Sequence, residues 1–382
     1  MSEPVHVIRN LEKALADDDF AWSLLLVGED QTDKLAALTS DLRAGHSETG
    51  DGKQISSGFS YWGIGPTIAW AHAVSDPFYL VMKAGAESFV RHWQKIRPHV
   101  AKDGFHFVSL GVGTGQKDRV ILEDLRAAKP DLFYIPVDMS SEMLRLGTQE
   151  PVRGIRFPMT QVLPVQLDFS LVDNMEELGQ MLARLVGDDP LLYTLTGNTL
   201  ANFDSDEDVL DTIASVLRPQ DRLLLEVATT TQINEDAAKA AADEYHRTRA
   251  FTEFVTSALR YNTDLPIDLA MVEFRGSVTE DGDALLVKVL FTTDEPLVMG
   301  LPDHTDVVLE PGDTIRLYTT RKFSAERLDR LVAACDLTLV ENAHSPFRRT
   351  RRPSPFGLDL LLLAPKSAQA SRRTIADEMW AR

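Results

Sequence analysis

The chain predicts an α/β fold: an open, doubly wound sheet of seven strands with an inserted α+β subdomain and a helical N-terminal region. Three observations carry this. Phe105-His-Phe-Val-Ser-Leu-Gly-Val-Gly-Thr-Gly115 is an apolar run that ends in closely spaced glycines, the pattern of a buried strand turning tightly into a helix. Six more strand-like runs follow, at 133–138, 162–167, 191–196, 222–227, 337–341 and 358–363. Most are continuous and not alternating, so both faces are covered, and helical stretches such as 117–128, 174–186 and 206–217 separate them. Lastly, residues 229–323 part the fifth run from a helix at 324–335, a stretch too long for a loop in a compact domain.

The first run ends where ligands bind in such folds, because glycine backbone admits close approach and the amides opening the next helix face the turn. Asp138 closes the second run, 27 positions after Gly111. A carboxylate there is placed to accept hydrogen bonds from a ribose diol. The glycines fall at Gly111, Gly113 and Gly115, and the sixth position of a dinucleotide fingerprint is Gln116. That spacing disfavours a pyrophosphate and favours the looser turn that holds the amino acid end of S-adenosylmethionine. Lys117, just inside the helix, can meet that ligand's carboxylate as a point charge.

Each remaining element has its signal. Asp204 or Ser205 can cap the helix that opens on Asp206-Glu-Asp208, and Arg218-Pro219 ends it. The last two strands are joined by a proline-rich loop and no helix, so they form an antiparallel hairpin at a sheet edge, an ending that resembles class I methyltransferases and not dehydrogenases. Within the interruption, 234–260 is helical in composition, and 284–291, 306–309 and 314–320 are strand candidates. The expected layout is a helical region over 1–100, a Rossmann-like core over 101–229 and 323–366, an insert over 230–322 lying across the carboxyl ends of the strands, and a tail over 367–382 with few core positions.

Composition excludes several classes. Apolar residues make up 44% and charged residues 25% of 382, ordinary for a globular chain. A formal charge of −19 argues against nucleic acid as partner. The basic cluster Arg348-Arg-Thr-Arg-Arg352, between Pro346 and Pro353, is expected to be a solvated loop. No apolar run long enough to span a membrane and no secretory leader is visible, so a cytoplasmic protein without membrane contact is expected. Cys335, the single cysteine, is expected to pack a helix. The nine histidines show no metal-ligand spacing, so no metal is expected.

Ligands of an open α/β sheet sit outside the carboxyl ends of the strands, where strand order reverses. The third strand end offers Asp168 to accept an adenine amino proton and Phe169 to cover the base. At the fourth, Thr196-Gly-Asn-Thr-Leu-Ala-Asn-Phe203 places Asn202 where its amide can hold a substrate amine or carboxylate.

With Leu-Gly-Val-Gly-Thr-Gly-Gln-Lys117, Tyr-Ile-Pro-Val-Asp-Met-Ser140, the Asn202 turn and Thr-Arg-Lys-Phe-Ser324 in this order, the chain resembles the histidine-specific S-adenosylmethionine-dependent methyltransferase family of ergothioneine biosynthesis over roughly residues 105–365. The resemblance implies that Gly111, Gly113, Lys117, Asp138, Asp168 and Phe169 hold the cofactor. It also implies that the insert recognises substrate, with Asn202, Phe254, Tyr318 and Thr320 facing the amino acid. Tyr318 stands where the family has a glutamate for the imidazole, and Thr320 where it has serine. The family's N-terminal tyrosine motif is not recognisable, and Tyr61 with Trp62 substitutes for it.

These departures point to a free amino acid with a cationic side chain, L-arginine first, in specialised metabolism. Tyr61, Trp62 and Trp70 can stack on a guanidinium. Glu226, at the end of the fifth strand, is the expected catalytic carboxylate, orienting the group and accepting its proton. Histidine α-amino methylation is the alternative acceptor chemistry. Other classes are a nicotinamide-dependent oxidoreductase, disfavoured by the glycine spacing, and a non-catalytic binding or assembly protein, disfavoured by the intact glycines and carboxylates. A homodimer through the N-terminal helices is left open.

Overall fold

The computed structural model describes residues 25–28, 31–45, 52–76, 79–100, 104–349 and 352–366. The tail expected over 367–382 lies outside them.

In chain order, β1 (Leu25–Leu26), α1 (Gln31–Arg43), β2 (Lys53–Gln54), α2 (Ile64–Ser75) and α3 (Leu80–Ile96) make the N-terminal region. The core follows as β3 (His106–Leu110), α4 (Gln116–Ala128), β4 (Tyr134–Asp138), α5 (Ser141–Gly154), β5 (Val165–Gln166), α6 (Val172–Val186), β6 (Leu191–Leu195), α7 (Asp206–Ser215) and β7 (Arg222–Thr230). The insert comprises α8 (Glu235–His246), α9 (Arg249–Val255), α10 (Ser257–Asn262), β8 (Val272–Val278), β9 (Ala284–Thr292), β10 (Leu297–Gly300), β11 (Asp306–Leu309) and β12 (Thr314–Phe323). The chain returns to the core as α11 (Ala325–Ala334), β13 (Leu337–Arg349) and β14 (Arg352–Pro365).

Every residue of β3, β4 and β6 is buried, which is why these strands read as unbroken apolar runs. One apolar cluster, around Val108, Ile135 and Leu195, and another, around Phe107, Tyr134 and Leu192, take alternate residues of the same strands and so cover opposite faces. The core strands lie in the order β5-β4-β3-β6-β7, and β14 pairs antiparallel with both β7 and β13. Strand order therefore reverses between β3 and its neighbours β4 and β6, and the open crevice lies at their carboxyl ends. Ser205, not Asp204, caps α7, its hydroxyl accepting from the Asp208 amide.

Two expectations change. The third strand, expected over 162–167, pairs as a strand only at Val165–Gln166, with a single bridge at Val162. The proline-rich segment is strand and not loop: β13 runs through Pro346 and β14 contains Pro353, with a register shift between Pro346 and Arg348. Proline is tolerated because β13 is an edge strand. Thr350 and Arg351 of the basic cluster lie outside the described residues. Within the insert, β10 and β11 pair only with each other, in a sheet of two strands. β12, β9 and β8 continue the core sheet, joined where Phe323 pairs with Thr229, and β8 had no counterpart among the expected strands. No helix among the described residues is long and apolar enough to cross a membrane.

Candidate functional site

A cavity of about 400 Å³ opens at the crevice. Its floor is the turn between β3 and α4. Gly111, Gly113 and Gly115 all hold positive φ there, which side chains other than glycine rarely adopt. The glycines differ in purpose. A Cβ on Gly111 or Gly113 would only touch Thr199 or Trp70, at 3.6 and 3.3 Å, so their bare backbone leaves room within the cavity. A Cβ on Gly115 would lie 1.8 Å from the Gly147 carbonyl, so that glycine lines the cavity but is required by the crossing of α4 and α5.

Asp138 ends β4 on the cavity wall, with Oδ1 accepting the Ser140 amide at 3.0 Å. Burial, reinforced by the charge of Asp168 and opposed by the Ser140 amide, pushes its carboxyl up to about 7. Such a group gains from any donor that restores its lost hydration. Asp168 and Phe169 follow β5 on the same wall. Burial opposes ionisation of Asp168, but Lys34 of α1, 2.9 Å away, and the hydroxyl and amide of Ser170 outweigh it and hold the carboxyl below its ordinary value. Lys34 was not foreseen; no local pattern in α1 marks it. Asp118 was also missed. It lines the cavity, takes the Tyr134 hydroxyl at 2.6 Å, and is pushed up to about 6 by burial.

The N-terminal region and the β6 turn also line the cavity, with Tyr61, Trp70, Tyr79, Met82 and Phe89 from the first and Asn202 and Phe203 from the second. The Asn202 amide donates to the Tyr61 hydroxyl at 3.4 Å, and that hydroxyl pairs with Tyr318 at 2.9 Å. Tyr61 and Trp70 lie with ring centroids 6.2 Å apart. Trp62, expected beside them, is instead buried edge-on against Phe59.

Four expected site residues are placed elsewhere than on the wall. Phe254, 1% exposed, packs between Tyr61 and Tyr318. Tyr318, 1% exposed, reaches the cavity only through its bond to Tyr61. Thr320, 2% exposed, accepts from Asn198, whose amide also bonds the Arg321 carbonyl and whose oxygen takes the Ala228 amide. Glu226, fully buried, lies beneath the turn, its Oε2 engaged by Lys117 and by the Gly197 amide at 2.8 Å. A carboxylate so occupied does not present itself to a substrate. Lys117 does line the cavity, but its charge is shared with Glu226.

S-adenosylmethionine fits this donor set on structural grounds. The cavity lies over bare glycine backbone, a buried carboxylate held by backbone amides ends β4 on its wall, and an aromatic ring and a second carboxylate follow at β5.

No curated protein matches the chain. Among solved structures it is similar to the CcbJ methyltransferase from Streptomyces caelestis, at 13% identity and a TM-score of 0.36, covering 85% of this chain and 100% of that one. A methyltransferase of Anabaena variabilis gives 10% identity and 0.38, covering 79% and 96%. The 1,6-didemethyltoxoflavin-N1-methyltransferase of Burkholderia thailandensis, solved with bound 1,6-didemethyltoxoflavin and S-adenosylhomocysteine, gives 12% and 0.37, covering 89% and 92%. The sequence itself matches the model of one family over residues 38–349, more than three quarters of its length and all of the cavity wall. The chain belongs to the histidine-specific, S-adenosylmethionine-dependent methyltransferases.

Proposed function

We propose that this methyltransferase acts on a nitrogen of a small free amino acid. The observation that carries the proposal is a single cavity that joins the glycine turn, Asp138 and Asp168 to the Tyr61 and Asn202 wall. On this reading the cofactor lies along Gly111, Gly113, Asp138, Asp168 and Phe169, and supplies an electrophilic methyl group. In-line displacement needs no covalent enzyme intermediate, so the work of the chain is alignment and exclusion of water. Asp138 accepts the ribose hydroxyls, Asp168 the adenine amino group, and Phe169 covers the base. Asn202, held by Tyr61, orients the acceptor.

The guanidino group of L-arginine is the first acceptor to test. Its support is the pair of aromatic faces, Tyr61 and Trp70, on the wall; Glu226 no longer contributes to it, being engaged by Lys117. The α-amino group of histidine is the second reading, supported by the Asn202 amide on the same wall. Isothermal titration of S-adenosylhomocysteine, followed by arginine and histidine into the loaded protein, tests both. No heat with S-adenosylhomocysteine refutes the cofactor placement; binding of neither amino acid refutes both acceptors.

A further inference from the structure

The pair of Lys117 and Glu226 has no role in the account so far, and stability does not explain it. Glu226 is 0% exposed and its second oxygen, Oε1, has no hydrogen-bond partner among the described residues. Burying an ion pair costs about as much as it returns, and an unsatisfied buried carboxylate oxygen adds to the cost. An arrangement this expensive needs a use.

Its surroundings indicate one. Glu226 Oε2 accepts from two groups that both belong to lining residues of the cavity: the Lys117 ammonium, in the first turn of α4, and the Gly197 amide, in the turn after β6. A single buried carboxylate thus ties together the two sides of the crevice at the point of strand reversal. Lys117 is steadied further by the face of Phe89, 5.5 Å from the ammonium. Gly85 of α3 completes the pocket around the pair. A Cβ there would lie 3.3 Å from Lys117 Nζ and 3.8 Å from Glu226 Oε1, so α3 approaches the pair closely as bare backbone. An ammonium has three donors. Glu226 takes one, and the side chain, 15% exposed, keeps contact with the cavity.

We propose that Glu226 is a positioning residue that holds the Lys117 ammonium and the Gly197 amide for the amino acid end of the cofactor, and that it takes no part in handling the acceptor. The proposal rests on the cofactor placement given above. It separates the cofactor into two halves: the nucleoside half, read by Asp138 and Asp168, is independent of Glu226, and the α-carboxylate half depends on it through Lys117.

The test uses two probes on the full chain, S-adenosylhomocysteine and 5′-methylthioadenosine, which keeps the nucleoside and thioether but lacks the amino acid. In Glu226→Gln the affinity for S-adenosylhomocysteine is expected to fall about tenfold, while that for methylthioadenosine stays within about twofold. In a Lys117→Met background, Glu226→Gln is expected to add nothing further, because its effect runs through Lys117. Glu226→Asp, which keeps the charge and shortens the reach, is the second variant should Glu226→Gln not fold, with the same selective loss expected. Equal loss of both probes would mean a merely structural role and overturn the proposal. So would unchanged binding of S-adenosylhomocysteine, or additive effects of the two substitutions. If the wild-type protein binds neither probe, it is the cofactor placement itself that fails.

Discussion

The raised carboxyl of Asp138 makes cofactor binding depend on pH in a direction that can be worked out. Held at about 7 by burial and by the charge of Asp168, it is ionised in only part of the protein at neutral pH. A ribose diol donates hydrogen bonds, so it binds the ionised form; the observed dissociation constant then scales as one plus the ratio of protonated to ionised Asp138. Between pH 7.5 and pH 5.5 this gives a weakening of about 25-fold, or about 2 kcal/mol. Asp168 does not confuse the measurement, because Lys34 and Ser170 hold its carboxyl below the ordinary range and it stays ionised throughout. Asp118, pushed up to about 6 on the same wall, is the group to control for. The assay is titration of S-adenosylhomocysteine at pH 5.5, 6.5 and 7.5 in wild type and Asp138→Asn. The variant is expected to bind more weakly at pH 7.5 and to vary less than about threefold over the range. A flat wild-type profile, or an equally steep one in Asp138→Asn, refutes the reasoning. The unliganded protein follows the opposite sign. Its folded-state carboxyl titrates near 7 and the unfolded one near 3.8, so the destabilising contribution of Asp138 is fully present above pH 7 and is relieved as pH falls between those values.

Further outcomes follow from the same geometry. Gly115→Ala places a Cβ 1.8 Å from the Gly147 carbonyl at a φ of +72°, so the protein is expected to lose more than about 2 kcal/mol, seen as a lowered midpoint in urea; an unchanged midpoint would show that α4 and α5 can part at no cost. Asn202→Ala is expected to leave the affinity for S-adenosylhomocysteine within about twofold and to weaken the acceptor amino acid about tenfold or more; equal loss of both ligands would remove Asn202 from acceptor recognition. Lys322, 1% exposed, pairs with Glu244 at 3.2 Å and sits over the rings of Phe347 and Phe356. Lys322→Met removes a charged partner of the buried Glu244 carboxylate and should cost about 3 to 5 kcal/mol, most of which the double variant with Glu244→Gln should restore. A single variant as stable as wild type would mean that Glu244 does not need this partner.

What the sequence determined by itself was local. The strands of the core announce themselves as apolar runs because they are covered on both faces, and the glycine turn because its backbone angles favour glycine. Carboxylates at the ends of β4 and β5 follow once the strands are placed, since a strand end fixes where its last side chain lies. Tertiary structure decided everything that joins distant segments. Lys34 reaches Asp168 across 134 positions, Lys117 reaches Glu226 across 109, and Tyr61 reaches Tyr318 across 257. No periodicity records such pairs, because a side chain's partner depends on which elements the sheet order makes neighbours. For that reason Glu226, which the sequence places at the end of a strand and which lies midway along β7, was read as facing a substrate, and only the tertiary packing brought Lys117 to it. The joining of β12, β9 and β8 to the core sheet has the same cause: it hangs on the pairing of Phe323 with Thr229, which depends on where β12 returns in space and not on the composition of either strand.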